Sequence, residues 1–460
     1  MRSSSRALAA VALAAAVATG AAACSSGSAG SSSSPTSASG SGTSAPTAAV
    51  NAWLVTTAAA GSPAPSDTAV QALATAFDKA HPGDTITIQF VQNDSYKQKI
   101  QLAMGAGNEP QIFWTWGGGP LQQDIKAGKV TPLATTAAAS GSSGYLSQFL
   151  PSSLGAVTVN GNVYGIPVEG TQPVYFFYNK EVFSKYSLSF PTTWSQLLTD
   201  VATFKKDGVT PISLAGASAD SWCDLMYLEY LADRIGGPSV ADALQSNQPG
   251  AWSNPAVTEA LTDIQQLIKA GAFETGYTSL QDNGSNDALV YTGKAAMQLM
   301  GDWDISSILG EDASFISSGK LGMAPFPTVT GGTGNAADLA GNTASYVSIS
   351  TDATPAQVAV AKEFFSTELT STSYAQAEVA AGEVPVTAGA ASDFSGNMAS
   401  FDSTIYSDVK DAPNFQYSWD QAMTPTVSAD MLTDLTNIFD LSMSPAQFVS
   451  AMNTAAKKDS

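Results

Sequence analysis

Histidine and cysteine are almost missing from this chain, which has one histidine, His81, and two cysteines, Cys24 and Cys223, in 460 residues. Beyond Cys24 only Cys223 remains, and one cysteine cannot build a disulfide framework, so Cys223 is expected as a small buried hydrophobe. His81 stands in His-Pro-Gly after a predicted helix, where it reads as a helix stop rather than a base. Together these scarcities leave no Ser/His or Cys/His pairing and no zinc-ligand spacing, and neither cofactor nor metal is expected. Charge is scarce too, at 13% of residues, and lopsided, with 19 basic against 39 acidic side chains and a net charge of −20. That balance disfavours nucleic acid and anionic lipid headgroups, while a neutral or cationic ligand is easier to hold. Past the first 23 residues there is no apolar run of 18 or more, so nothing else is expected to span a membrane.

The first 23 residues carry Arg2 and Arg6, an apolar stretch from Ala7 to Val17 and a small-residue ending, which is a secretory signal. The ending Gly20-Ala21-Ala22-Ala23-Cys24 resembles a bacterial lipobox, which implies lipidation of Cys24 and a mature protein tethered to the outer face of the cell membrane. The alternative is an ordinary cleaved signal that leaves Cys24 a free thiol. From Cys24 to about residue 48 the chain is nearly all Ser, Gly, Ala, Thr and Pro, a leash that cannot bury a core.

The remaining length suggests two or more folding units. Strands are expected over Val50 to Val55, Thr85 to Phe90 and Gln111 to Trp114. Helices follow Pro65-Ser66-Asp67 and begin near Ser95, so strand and helix alternate as in an α/β sheet with helices on its faces. Ligands of such sheets bind beyond the carboxyl ends of the strands, which makes Val91 to Asp94 and Trp114 to Gly119 candidate site loops. The three glycines 117–119 lack the spacing of a P-loop or a dinucleotide fingerprint. Asn254 as cap, Pro255 at the first position and Gly271 past the end bracket the clearest helix. A strand is expected at Gln298 to Met300, and Leu321 to Phe326 reads as a second crossing between units. Thr387 to Phe415 reads as polar and irregular.

The central stretch is Asn160 to Trp194. Asn160-Gly161 is a tight-turn dipeptide, Pro167 favours extended backbone, and Val174 to Tyr178 is a strand buried on both faces. Thr193 can cap the helix after it. The order Y-G-I-P, F-Y-N-K and P-T-T-W resembles the family 1 extracellular solute-binding proteins of ABC sugar importers, as does G-K-A-A-M followed by G-D-W at Gly293 to Trp303. The resemblance covers nearly the whole mature chain. It implies a two-lobed α/β, periplasmic-binding-protein type II-like fold with a hinge of crossing segments and a ligand cleft between the lobes. One lobe would comprise residues 49–165 and 326–372, the other 166–325 and 373–460. The implied role is capture of an oligosaccharide for ABC transporter permease subunits by a monomer; the local match leans towards the raffinose or xylo-oligosaccharide branches.

Four tryptophans, Trp116, Trp222, Trp303 and Trp419, stand in loops or at helix starts beside Gly, Ser or Asp. A sugar site needs both partners: an indole face for the C–H face of a pyranose and carboxylates or amides for its hydroxyls. Asp224, Asp302 and Asp420 supply the acids beside three of them. By resemblance Trp303 sits at the sugar, Trp116 with Gly117 and Gly118 forms a first-lobe ligand loop, and Trp419-Asp420 forms a late aromatic segment. Trp222 and Asp224 fall in a looser match, and Asn93 and Asp94 in a loop that supplies hydrogen bonds. Glu169 and Gln172 either face the cleft or brace the hinge. The rival reading is a secreted glycoside hydrolase using Asp302 and Asp304 as its carboxylate pair. A third is a sugar-binding sensor lipoprotein without transport.

Overall fold

A computed structural model describes residues 47–56, 58, 63–135, 144–396 and 398–459. The leader, Cys24 and nearly all of the leash lie outside the described residues. Among the described residues no helix is long and apolar enough to cross a membrane.

Twelve strands carry the two principal sheets. The first sheet holds β1 (Ala49–Thr56), β2 (Thr85–Gln92), β3 (Ile112–Thr115), β4 (Val130–Thr131) and β5 (Gly165–Glu169). The second begins with β6 (Gln172–Asn179), β7 (Thr210–Ser213), β8 (Ala295–Gly301), β9 (Leu321–Ala324) and β10 (Leu339–Asn342). The chain then returns to the first sheet as β11 (Ser345–Ser350) and to the second as β12 (Phe415–Tyr417). Strand order is β2-β1-β3-β11-β4 in the first, with β5 beside β11, and β7-β8-β6-β10-β12 in the second, with β9 beside β6.

Each sheet has its own core. On β1, Val50, Ala52 and Leu54 pack inwards against Val70, Leu73 and Phe77 of helix α1 (Pro65–Ala80). His81 ends that helix, its Nδ1 3.0 Å from the Phe77 carbonyl, as a helix stop would. In the second lobe β6 is buried along almost its whole length, since sheet neighbours and helices cover both faces. Thr193 caps the following helix through a capping box with Gln196. The helix Pro255–Ala270 is capped by Asn254 and ends at Gly271 with φ +73°, and its Val257, Leu261 and Ile264 are fully buried. Cys223 is buried within the same core.

The lobes join at two adjacent crossings. The chain leaves β5 at Glu169 and enters β6 at Gln172; it leaves β10 at Asn342 and enters β11 at Ser345. Asn342 pairs with Gln172 in one sheet and Ser345 with Glu169 in the other, so both crossings run side by side. A third segment passes against them: a Cβ on Gly170 would fall 1.9 Å from the Val384 carbonyl oxygen, and Thr171 N donates to that oxygen at 3.0 Å. Only glycine leaves room for that contact.

Several local expectations change. Leu321–Ala324 does not cross between lobes; it pairs with β6 inside the second, because its apolar residues complete that sheet. Val91 to Asp94 is no loop, since β2 runs to Gln92 and helix α2 (Asn93–Ala106) begins at once. Thr387 to Phe415 contains a helix, Ala399–Asp411, whose buried Ile405 and Asp402 are too sparse a pattern to announce it.

Candidate ligand-binding cleft

Between the lobes lies a cleft with about 860 Å³ of empty space, its mouth included. Its walls are the carboxyl ends of β1 and β3, the starts of α1 and α2, both crossings, and three second-lobe helices: Ser221–Gly236 (α3), Trp303–Ser317 (α4) and Trp419–Ala422 (α5). The position agrees with the rule for α/β sheets, because the strand ends leave backbone and loop groups free to face a ligand.

Aromatic faces come from both lobes. Trp222 and Trp303 meet with ring centroids 5.8 Å apart and planes at 51°. Trp222 Nε1 donates to Asp220 Oδ1 at 3.3 Å, which fixes its ring, and Trp303 lies against Gly301, where any Cβ would collide with the indole. Across the cleft Trp116 packs edge to face with Trp114 and Tyr96, and Lys97 Nζ lies 5.1 Å from its ring centroid. Trp114 Nε1 is buried without a hydrogen-bond partner, a donor a ligand oxygen could satisfy.

Carboxylates line the rest. Asp67 Oδ2 accepts from Thr56 Oγ1 at 2.7 Å and from Ala64 N at 3.1 Å; burial still raises its pKa, because those two bonds only partly offset desolvation. Glu169 accepts from Gln172 Nε2 at 3.2 Å, and Gln172 in turn accepts from Ser345 Oγ at 3.0 Å, so a relay spans both crossings. Burial, then the nearby Glu383, holds the Glu169 carboxyl well above its ordinary range. Burial pushes Glu383 up to about 8, with Asp67 and Asp402 adding repulsion. Glu229 is also pushed to about 8 by burial, although it accepts from Trp419 N at 2.6 Å and Ser418 Oγ at 3.0 Å.

Of the residues singled out in the sequence, the cleft gathers Asn93, Trp116, Trp222, Trp303 and Asp420, with Glu169 and Gln172. It does not gather Gly117, Gly118, Asp224, Asp302 or Trp419. Trp419 is wholly buried, edge to face with Trp252, its Nε1 donating to Gln416 Oε1 at 2.9 Å; it is a core residue. Asp224 lies on the inner face of α3, buried, with its carboxyl pushed up by burial and by Asp440. Asp302 directly precedes α4 and is buried without a side-chain capping bond, and Asp304 accepts from Gln298 in the core. Gly118 and Gly119 serve the packing of the lobes instead, since a Cβ there would fall 2.1 Å from the Gln421 carbonyl and 1.9 Å from the Met423 carbonyl. They let one lobe approach the backbone of the other. The side chain of Asp94 lies outside the described residues.

Asp67, Lys97, Glu229, Asn342, Ser345 and Glu383 line the cleft without having been singled out. Asp67 stood in plain view as part of a helix-start signal. Lys97, Glu229, Asn342 and Ser345 sit in helical or strand patterns whose inward polar positions look like any solvated face until the fold is known, and Glu383 sits in irregular chain past the helix Thr372–Ala380.

The geometry is that of a two-lobed binding protein, with a polar and aromatic cleft closed by contacts from both sides. The sequence profile of the bacterial extracellular solute-binding protein family matches residues 60–375, and the chain belongs to that family. Family and fold are those of binding proteins. Among similar sequences is an uncharacterized ABC transporter extracellular-binding protein of Pyrococcus horikoshii, 26% identical over 241 residues, 51% of this chain and 52% of that one. Another is a probable sugar-binding periplasmic protein of Rhizobium meliloti, 26% identical over 144 residues, 31% of this chain and 33% of that one. The chain thus spans about half the length, or less, of these curated relatives. Among solved structures, one from a study of xylan utilization by Caldanaerobius polysaccharolyticus superposes with a TM-score of 0.76 at 28% identity, covering 88% of this chain and 99% of that one. A chitin oligosaccharide binding protein superposes with a TM-score of 0.78 at 23% identity, covering 90% and 98%, and shows the shared fold.

Proposed function

We propose that this chain is the substrate-binding component of an ABC importer, that it closes over an oligosaccharide in the cleft, and that it makes and breaks no bond. The observation that carries this reading is the meeting of indole faces from both lobes with inward carboxylates and amides in one cleft. Stacking holds the apolar face of a pyranose while acids and amides take its hydroxyls, and closure desolvates both. Trp116, Trp222, Trp303, Asn93 and Asp420 would contact the sugar, with Asp67, Glu169, Gln172 and Asn342 at the crossings. The lobes would divide at the two crossings, with residues up to 169 and from 345 to about 386 in the first. Lipidation at Cys24 would tether a monomer outside the cell membrane, within reach of permease subunits.

Glycoside hydrolysis by Asp302 and Asp304 has no support, because neither lines the cleft. The deciding experiment is calorimetric titration of the protein against mono- to tetrasaccharides, with the recovered sugars checked for cleavage. Saturable binding of intact sugar is the expected result. Cleaved product would replace the binding reading with a hydrolase, and no binding across the panel would remove sugar as the ligand class.

A further inference from the structure

Three of the carboxylates lining the cleft belong together. Asp67 from the start of α1, Glu169 from the end of β5 and Glu383 from the third segment all line it, and the segment carrying Glu383 is held beside the Glu169 crossing by the hydrogen bond from Thr171 N to the Val384 carbonyl at 3.0 Å. Lys97 is the single cation among the described lining residues, and it pairs with Asp420, 3.4 Å away. Asp67 and Glu169 have the partial compensation of Thr56, Ala64 N and Gln172. Glu383 does not: it is 1% exposed, lines the cleft, and its Oε2 has no hydrogen-bond partner. Among the described residues no three such side chains are placed to hold a metal ion.

A neutral hydroxyl donates one hydrogen bond and brings no charge, so it gives the carboxyls lining the cleft no counter-charge against which to ionise. An ammonium group brings three donors and a positive charge together. We propose that the preferred ligand of this cleft is an amino sugar, with its protonated amine received by Asp67, Glu169 and Glu383 while its ring is stacked by the tryptophans. The inference rests on the sugar-binding reading and narrows it to a cationic class.

Calorimetry with matched pairs that differ only in amine for hydroxyl tests this: glucosamine and glucose, galactosamine and galactose, mannosamine and mannose, and the β-1,4 glucosamine dimer and cellobiose. At pH 6 the amine is expected to bind at least tenfold tighter in one or more pairs. Glu383→Gln and Asp67→Asn should shrink that preference, read as the ratio of amine to hydroxyl affinity within each pair, by at least about threefold. Thermal melts establish that each variant folds, and Glu169→Gln serves if Glu383→Gln does not. Neutral sugars binding as tightly as their amines in every pair would overturn the amino-sugar proposal and leave the sugar reading standing. Silence from both members of every pair and from the wider oligosaccharide panel would overturn both.

Discussion

Lys97 Nζ lies 3.4 Å from Asp420 Oδ2, so a side chain at the start of a first-lobe helix is tied to one on the second lobe beside the ligand cleft. Asp420 is buried and also accepts from Gln421 Nε2 at 2.7 Å and Ser418 Oγ at 3.0 Å, whereas Lys97 remains 41% exposed. A pair with one wet partner is screened and contributes little. Lys97→Ala is therefore expected to weaken ligand affinity by only about two- to fivefold. Raising the salt concentration should lower wild-type affinity towards that of the variant. A hundredfold loss would mean that Lys97 contacts the ligand directly.

The second contact between lobes is steric. Tyr417 Oη donates to the Trp116 carbonyl, and Gly118 and Gly119 lie against the backbone at Gln421 and Met423. At Gly119 an added methyl would sit 1.9 Å from a main-chain oxygen, which cannot swing aside as a side-chain end can. Gly119→Ala should hold the lobes apart while each keeps its own core. Small-angle scattering should then show no contraction on adding ligand, and affinity should fall at least about tenfold, since closure brings the second lobe's groups to the ligand. Normal contraction in the variant would show that the helix at Gly118 can shift.

Trp303 and Trp419 look alike in sequence, each followed by an aspartate, but they differ in burial. Trp303→Ala removes an indole from the cleft wall and is expected to cost about 1 kcal/mol of ligand binding with the melting temperature nearly unchanged. Trp419→Ala leaves a hole beside Trp252 in the core and is expected to cost about 3–5 kcal/mol of stability. Measuring ligand titration and denaturant melts on both variants separates the roles; equal effects on stability would contradict the assignment.

That contrast marks how far the sequence could be read. The turn at Asn160-Gly161, the buried strand after it and the helix bracketed by Asn254 and Gly271 follow from short-range rules, since the residues that decide them are neighbours. Two-lobed architecture followed from resemblance and alternation. Which acids face the cleft did not follow, because Asp67, Glu229 and Glu383 come together only through long-range packing. Asp224 and Asp302 carried the expected residue types beside the expected tryptophans, yet helix phase turns Asp224 into the protein and the tight passage from β8 to α4 buries Asp302. The Leu321 segment looked like a crossing because proline follows it; its strand partner, β6, is more than a hundred residues away.

The raised carboxyls also couple stability to pH. Glu383 and Glu229 are held at about 8 in the folded chain by burial, against an ordinary value of 4.5 when unfolded. Between those values the folded state binds more protons than the unfolded one, so stability must fall as pH rises. The contribution is fully present below about pH 4.5 and is lost as pH passes through about 8. Without ligand, the melting temperature is expected to be higher at pH 5.5 than at pH 8.5 by at least about 3 °C. General charge repulsion in so acidic a chain slopes the same way, so the variant decides the cause. Glu383→Gln, which cannot ionise, should lose less on going to pH 8.5 than the parent does. A variant curve parallel to the parent's would show that Glu383 titrates normally in the folded protein.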